Sequence, residues 1–416
     1  MPSRFREFVF PKHPLLGDLG GLDPYEYADV MRGVPVLGDV ITQWLELFES
    51  TSFQGVTADG AVLENLFAVG ADEGAPTLAA VDAATALLDS LSDEEREKIQ
   101  HPLDSKVWRA WMNPEFLILP YGARLEELTP ESLERSMELI ASSTSPRGYE
   151  KIVNLMRINA FLGEILEVPV VINEHSYNLN IFGTPSMTEP WGWNLWGHHV
   201  CLNTLFLGAQ QVFTPVFFGA EPNEIDEGAF AGTTEFLELD RAGLDLIQSL
   251  DDAQRAKAIL FDDKRSPDLP PGRLVPGDEL HLAGCFQDNR LIPYEGISAT
   301  ELTGEQQELL WKIVDEFLSY QPDGPRAARV ADARKHLEST WFCWIGGTGD
   351  DDVFYYRVQS PVILIEFDHH GGLALANQNP ERFHVHTIVR TPNGNDYGVQ
   401  LVRQATGSEQ TLTAEA

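Results

Sequence analysis

Three short segments near the C-terminal end, 353–358, 362–368 and 383–390, are dense in β-branched and aromatic residues and follow one another with no helical pattern between them. Such residues favour strands. Parallel strands need a long crossover, so strands joined this closely pair antiparallel. This run narrows the fold more than any other feature. Segments 177–182, 199–207, 211–218 and 115–120 read as further strands. Helices announce themselves through a leucine followed by a capping residue, at Leu91-Ser92, Leu128-Thr129, Leu250-Asp251 and Leu302-Thr303. In three of the four, a Glu or Gln three residues after the cap (Glu95, Gln254, Gln306) can bond back to it. Helices are expected over 77–90, 93–100, 130–143, 147–166, 241–249, 252–262, 304–320 and 325–338. The sum is an α+β fold, an antiparallel sheet with helices packed on one face, forming a single large body over 76–405. Residues 1–75, rich in Gly and Pro with one amphipathic stretch at 40–48, are expected to pack on that body as an N-terminal extension. Residues 406–416 are expected to form a flexible tail.

Charge excludes some partners. There are 64 acidic and 29 basic side chains, a formal charge of −35, and both nucleic acid and anionic membranes require clustered Lys and Arg. The expected partner is a small-molecule substrate, with no nucleic acid and no membrane. No run approaches the roughly 18 apolar residues of a membrane span, and residues 1–17 lack the apolar core of a signal peptide. Cys201, Cys285 and Cys343 are too few and too widely spaced for a disulfide framework or a CxxC zinc knuckle. These features point to a soluble, acidic, cytoplasmic protein. GxSxG, HExxH and GxxxxGK are all missing, which removes nucleophile-elbow hydrolases, the common zinc peptidases and P-loop NTPases.

The histidines carry the chemical signal. Alternation puts Leu364, Glu366 and Asp368 on one face of their strand, and His384, His386 and Arg390 on one face of the next. In a hairpin pairing Asp368 with His384, Glu366 faces His386, so two imidazoles and two carboxylates share one patch. Such a patch suits a divalent metal, although a solvated or salt-bridged polar face has the same composition. A second cluster reads Trp191-Gly192-Trp193-Asn194-Leu195-Trp196-Gly197-His198-His199. Neighbouring histidines on a strand point apart, so one of His198 and His199 is expected at a given site. Trp191, Trp193 and Trp196 suit either core packing or the wall of an apolar pocket, with Asn203 and Tyr355 added to that pocket. His369 and His370, in a Gly-rich loop, are expected at the surface. Cys201 is expected to be a small buried residue.

These residues resemble those of a bacterial and fungal family known as domain of unknown function 3500. The likeness rests on Arg147-Gly148-Tyr149-Glu150, Phe182-Gly183-Thr184-Pro185-Ser186, Pro190–Trp193 leading into Gly197–Asn203, Pro215–Ala220, Tyr355–Gln359, Leu364–Asp368 and His384-Val385-His386. It spans about 145–400. It implies no activity or cofactor, but it does imply that the Gly-His-His, Glu/Asp and His-x-His elements form one pattern. This chain departs from the pattern in its longer 369–382 link, with Gly371 and Gly372, and in Thr391.

The expectation is a metal-dependent enzyme acting on a small apolar molecule by hydrolysis or water addition. Its divalent ion (Zn, Fe or Mn) is held by His199, His384, His386 and Asp368. Glu366 and His198 are candidates for acid–base work, and Arg357 or Arg390 for pairing with an anionic group. A non-haem iron oxygenase, which uses two His and one carboxylate, and a metal-free binding protein are the alternatives.

Overall fold

In the computed structural model, residues 3–10, 19, 21–275, 277–407 and 412 are described, and one mostly antiparallel sheet organises them. Its strands are β1 (Gln100–His101), β2 (Ala123–Arg124), β3 (Tyr177–Phe182), β4 (Trp191–Gly197), β5 (Val200–Leu207), β6 (Gln210–Val212), β7 (Val216–Ala220), β8 (Ile259–Phe261), β9 (Ile297–Ser298), β10 (Trp341–Gly346), β11 (Phe354–Gln359), β12 (Leu364–His369) and β13 (Val385–Arg390). The helices are α1 (Pro24–Arg32), α2 (Pro35–Ser50), α3 (Thr77–Ser90), α4 (Asp93–Ile99), α5 (Pro130–Ser143), α6 (Pro146–Ile165), α7 (Leu237–Ser249), α8 (Asp252–Ala258), α9 (Gly304–Phe317), α10 (Asp323–Lys335) and α11 (Val399–Thr406). The α+β reading holds. Capping boxes close the starts of α4, α8 and α9 through Ser92–Glu95, Asp251–Gln254 and Thr303–Gln306. Thr129 caps α5 through the Ser132 N–H. Among the described residues, no helix is long and apolar enough to cross a membrane.

Two antiparallel meanders make up the sheet, β3-β4-β5 and β10-β11-β12-β13, and β7 lies between β5 and β13 to join them. Among the described strands of the sheet, β1 on β3 and β8 on β10 pair parallel. One face packs on helices: Trp193 Nε1 donates to Ser143 Oγ of α5 at 3.0 Å, Tyr356 Oη donates to the Leu239 carbonyl of α7 at 2.9 Å, and Phe317 of α9 meets the Tyr356 ring edge-on. The opposite face is closed by irregular segments. There the Cys201 thiol donates to the Met112 carbonyl, and Arg390 donates to the Ala283 and Gly284 carbonyls. Over them lies α2, whose Trp44 and Phe48 pack on Phe286.

Several sequence expectations are corrected. Segment 115–120 is irregular. Phe116, Leu117, Ile118 and Leu119 are all buried, without the alternation of a strand, and Pro114 and Pro120, which lack an N–H, bracket them. Segment 211–218 is two strands, β6 and β7, interrupted by Pro215. The hairpin of β12 and β13 is two residues out of the expected register: Asp368 faces His386 and Glu366 faces Ile388. A shift of two keeps every side chain on its face. The cause lies in the connecting loop. Its His370 N–H donates to the His384 carbonyl at 2.8 Å and the His384 N–H to the Glu381 carbonyl at 3.1 Å, so the ladder ends at His369 and Val385 with His384 beyond it. Of the expected tail over 406–416, all but Thr406, Gly407 and Leu412 lies outside the described residues.

Candidate metal centre

The joining of the two meanders by β7 decides what meets at the sheet's centre. The turn between β4 and β5 consists of His198 and His199. His199 takes φ +64, a left-handed conformation uncommon for a residue with a side chain. Both histidines are therefore turn residues, and the rule that strand neighbours point apart does not apply. Their rings stack with centroids 3.8 Å apart. The His199 carbonyl accepts from the Gly219 N–H of β7 at 2.8 Å, and Gly219 pairs with His386 of β13.

Three Nε2 atoms converge there. His386 Nε2 lies 3.1 Å from His199 Nε2 and 3.0 Å from His384 Nε2. Nitrogens about 2.0–2.1 Å from a shared ion stand about 3 Å apart when they subtend a right angle. Burial, reinforced by the neighbouring imidazoles, holds all three well below the ordinary histidine range. They are therefore neutral, the form that ligates metal. Beside them His198 Nδ1 lies 2.7 Å from Asn159 Oδ1. The Asn159 amide nitrogen donates to the Asn173 carbonyl, so Oδ1 accepts and His198 carries its proton on Nδ1. His198 Nε2 is left with its lone pair. Burial takes this histidine down to about 3.

The cluster forms one wall of a cavity of about 420 Å³. Leu37, Val40 and Trp44 of α2, with Phe116, Leu274 and Val275, give it an apolar side. Glu221, Glu279 and His370 lie on the polar side. The Glu221 carboxyl accepts the Leu375 N–H at 2.7 Å and stands 3.7 Å from His384 Nδ1. Burial pushes it up to about 8. Asp368 sits behind the cavity, bound at Oδ1 by Lys264 Nζ at 2.5 Å. Burial raises it to about 7 against the pull of Lys264.

Of the residues expected from sequence, His199, His384, His386 and His198 come together. Asp368 shares the sheet face but joins Lys264, Glu279 and His370 rather than the three imidazoles. Glu366 does not line the cavity: its carboxylate accepts from Tyr355 Oη at 2.6 Å and from the Leu282 and Ala283 N–H groups. Tyr355 is thereby a partner of Glu366 rather than a pocket wall. Arg357 is held by Glu295 and the Pro293 carbonyl, and Arg390 by Asp288 and Asp396. Trp191 and Trp193 lie in the core on the other sheet face from Trp196, stacked on Phe206 and bonded to Ser143 respectively. Trp196 and Asn203 are on the histidine face but deeper than the cavity, with Asn203 donating to the Pro215 carbonyl. Cys201 is buried as expected.

Glu221, Glu279, Lys264 and Trp44 escaped the sequence reading, and His369 and His370, expected at the surface, are both buried. His370 belongs to a Gly-rich loop that turns inward, its ring 4.0 Å from that of His386. The pair Gly371-Gly372 was the available signal, because a Cβ on Gly371 would stand 2.7 Å from Glu279 Oε1 and one on Gly372 2.1 Å from Glu221 Oε1. Glu221 and Glu279 come from loop positions with no local pattern.

Residues 73–399 match a family described as a protein of unknown function, DUF3500. No curated protein and no solved structure matches the chain.

Proposed function

The chain belongs to the DUF3500 family, whose function is unknown, and for it we propose a metal-dependent enzyme that hydrolyses, or adds water to, a small apolar organic molecule. The observation that supports this reading is the convergence of the His199, His384 and His386 Nε2 atoms on the wall of a largely apolar cavity, with His386 Nε2 3.1 Å from that of His199 and 3.0 Å from that of His384. A divalent ion held by three imidazoles with a position open lowers the pKa of bound water towards 7 and polarises a carbonyl.

The chain's own residues supply the rest. Leu37, Val40, Trp44 and Phe116 bind the apolar body of the substrate and exclude water from the reacting end. His198, its tautomer fixed by Asn159 and its basicity lowered by burial, presents the Nε2 lone pair as a hydrogen-bond acceptor that orients a donor group of the substrate. Arg265 is the one cationic side chain among the described lining residues, and Glu279 and the Gln378 carbonyl already hold it. With a charge of −35 on the whole chain, the substrate is uncharged or cationic. A cytoplasmic setting, in which the three free thiols stay reduced, is part of the proposal.

Elemental analysis of purified, untagged protein tests the reading. Stoichiometric zinc or manganese supports it. Iron with oxygen consumption in the presence of substrate would move the assignment to an oxygenase. Protein that neither retains metal nor takes it up on reconstitution would overturn it in favour of a binding protein.

A further inference from the structure

We propose a second divalent-metal site, formed by Glu279, Asp368 and His370 beside the three-histidine cluster, so that the cavity holds two ions. The role in hydrolysis rests on the reading above, while the donor set stands on its own residues.

One ligand atom from each of Glu279, Asp368 and His370 lies within 4.8 Å of the other two, and all three residues are buried. Each has one polar atom committed to an orienting bond and one without a partner. Asp368 Oδ1 accepts from Lys264 Nζ at 2.5 Å, and its Oδ2 has none. Glu279 Oε1 accepts from Arg265 Nη2 at 2.5 Å and from the Gly371 N–H at 3.1 Å, and its Oε2 has none. His370 Nδ1 donates to the Gly371 carbonyl, and its Nε2 has none. Buried polar atoms are nearly always satisfied, so three orphans in one place point to a missing partner. Metal ligands characteristically show this division, with the outer atom fixed by a bond behind it and the inner atom left for the ion.

Lys264 does not fill the role itself. It uses its contacts on Asp368 Oδ1 and the His369 carbonyl, and it stops 4.0 Å from Glu279 Oε2, beyond hydrogen-bond range. Two carboxylate oxygens and one imidazole suit zinc, manganese or iron. Backbone strain marks the same places: Glu279 takes φ +45 and His199 takes φ +64, conformations that side-chain-bearing residues adopt where the surroundings impose them. The sites adjoin, since the His370 ring lies 4.0 Å from that of His386 and 5.0 Å from that of His384. Paired ions stabilise both the attacking and the leaving oxygen of a displacement, which narrows the reaction above to hydrolysis.

The test uses the full chain, stripped with chelator, reloaded with Mn(II) and freed of loose ion by gel filtration. Wild type should retain two equivalents and give an exchange-coupled paramagnetic resonance spectrum. Glu279→Gln and His370→Ala should each lose one equivalent and leave an isolated-ion spectrum, and His384→Ala should lose the other. Glu279→Gln is isosteric, and circular dichroism checks that each variant keeps its fold. One equivalent in wild type, retained in Glu279→Gln and His370→Ala but lost in His384→Ala, overturns the second site and leaves the three-histidine reading standing. One equivalent lost in Glu279→Gln but kept in His384→Ala would support this site and remove that reading. No retained metal overturns both.

Discussion

Gly219 lies directly opposite His386 in the ladder between β7 and β13, and a Cβ built on it would stand 3.0 Å from His386 Cδ2 and 2.8 Å from His199 Cδ2. The glycine is what allows two imidazoles from different meanders to close on one point. Gly219→Ala touches no proposed ligand atom, yet it should weaken metal binding about 10- to 100-fold, the range seen when ligand-orienting contacts are lost. Competition with a chromophoric chelator measures this. Unchanged affinity in the folded variant would mean that the two rings need not meet.

Glu366 is a structural carboxylate. With Tyr355 Oη, Leu282 N–H and Ala283 N–H all donating to it, Glu366→Gln turns an amide NH₂ towards backbone donors. The variant should lose about 1–3 kcal/mol of stability in urea unfolding while metal content stays at the wild-type value. Loss of metal with stability intact would return Glu366 to the centre.

Two tryptophans should separate. Trp44→Ala opens the apolar wall of the cavity and should weaken binding of an uncharged aromatic fluorophore by about tenfold, the equivalent of 1.4 kcal/mol of lost burial. Trp193→Ala, on the helix-packed face, should cost about 3–5 kcal/mol of stability and leave the fluorophore's affinity unchanged. Fluorescence titration and urea unfolding of both variants check the pair.

His369 gives a pH dependence away from the cavity. Its Nδ1 accepts the Phe354 N–H at 3.2 Å, and its Nε2 lies 2.9 Å from Asp240 Oδ2. Burial takes its pKa down to about 4 against the pull of Asp240, whereas the unfolded chain titrates near 6.5. The native state therefore binds the proton less readily. This contribution is full above pH 6.5 and is lost as the pH falls towards 4, by up to about 3 kcal/mol. Unfolding free energies measured from pH 7 to 4 should show a shallower decline in His369→Gln than in wild type. An identical slope would mean that His369 takes up its proton in the fold as readily as in the unfolded chain.

Local chemistry was legible in the sequence, and long-range closure was not. Cap residues such as Ser92, Asp251 and Thr303 act on backbone two or three residues away, so α4, α8 and α9 start where the sequence indicates. Alternation likewise placed His384 and His386 on the face of Asp368, because a face survives a two-residue slip of register. The sequence groups Trp191, Trp193 and Trp196 as one possible pocket wall, but β4 turns Trp191 and Trp193 to the helix-packed face, away from Trp196. The partner of the His-x-His pair was a different matter. Asp368 faces His386 in the ladder, but Lys264, more than a hundred residues earlier in the chain, draws its carboxylate away. His370 was assigned to the surface on its glycine neighbours, and those glycines are what let its loop descend onto Glu221 and Glu279. Loop residues of this kind carry no periodic signal.

X-ray absorption at the edge of the retained metal tests the central claim most directly. Wild type should show a nitrogen shell at about 2.0–2.1 Å with the outer-shell scattering of three imidazoles, and His199→Ala, His384→Ala and His386→Ala should each reduce or abolish it. A shell of oxygen or sulfur alone, or an imidazole shell unchanged in all three variants, would contradict the assignment of His199, His384 and His386 as the metal ligands.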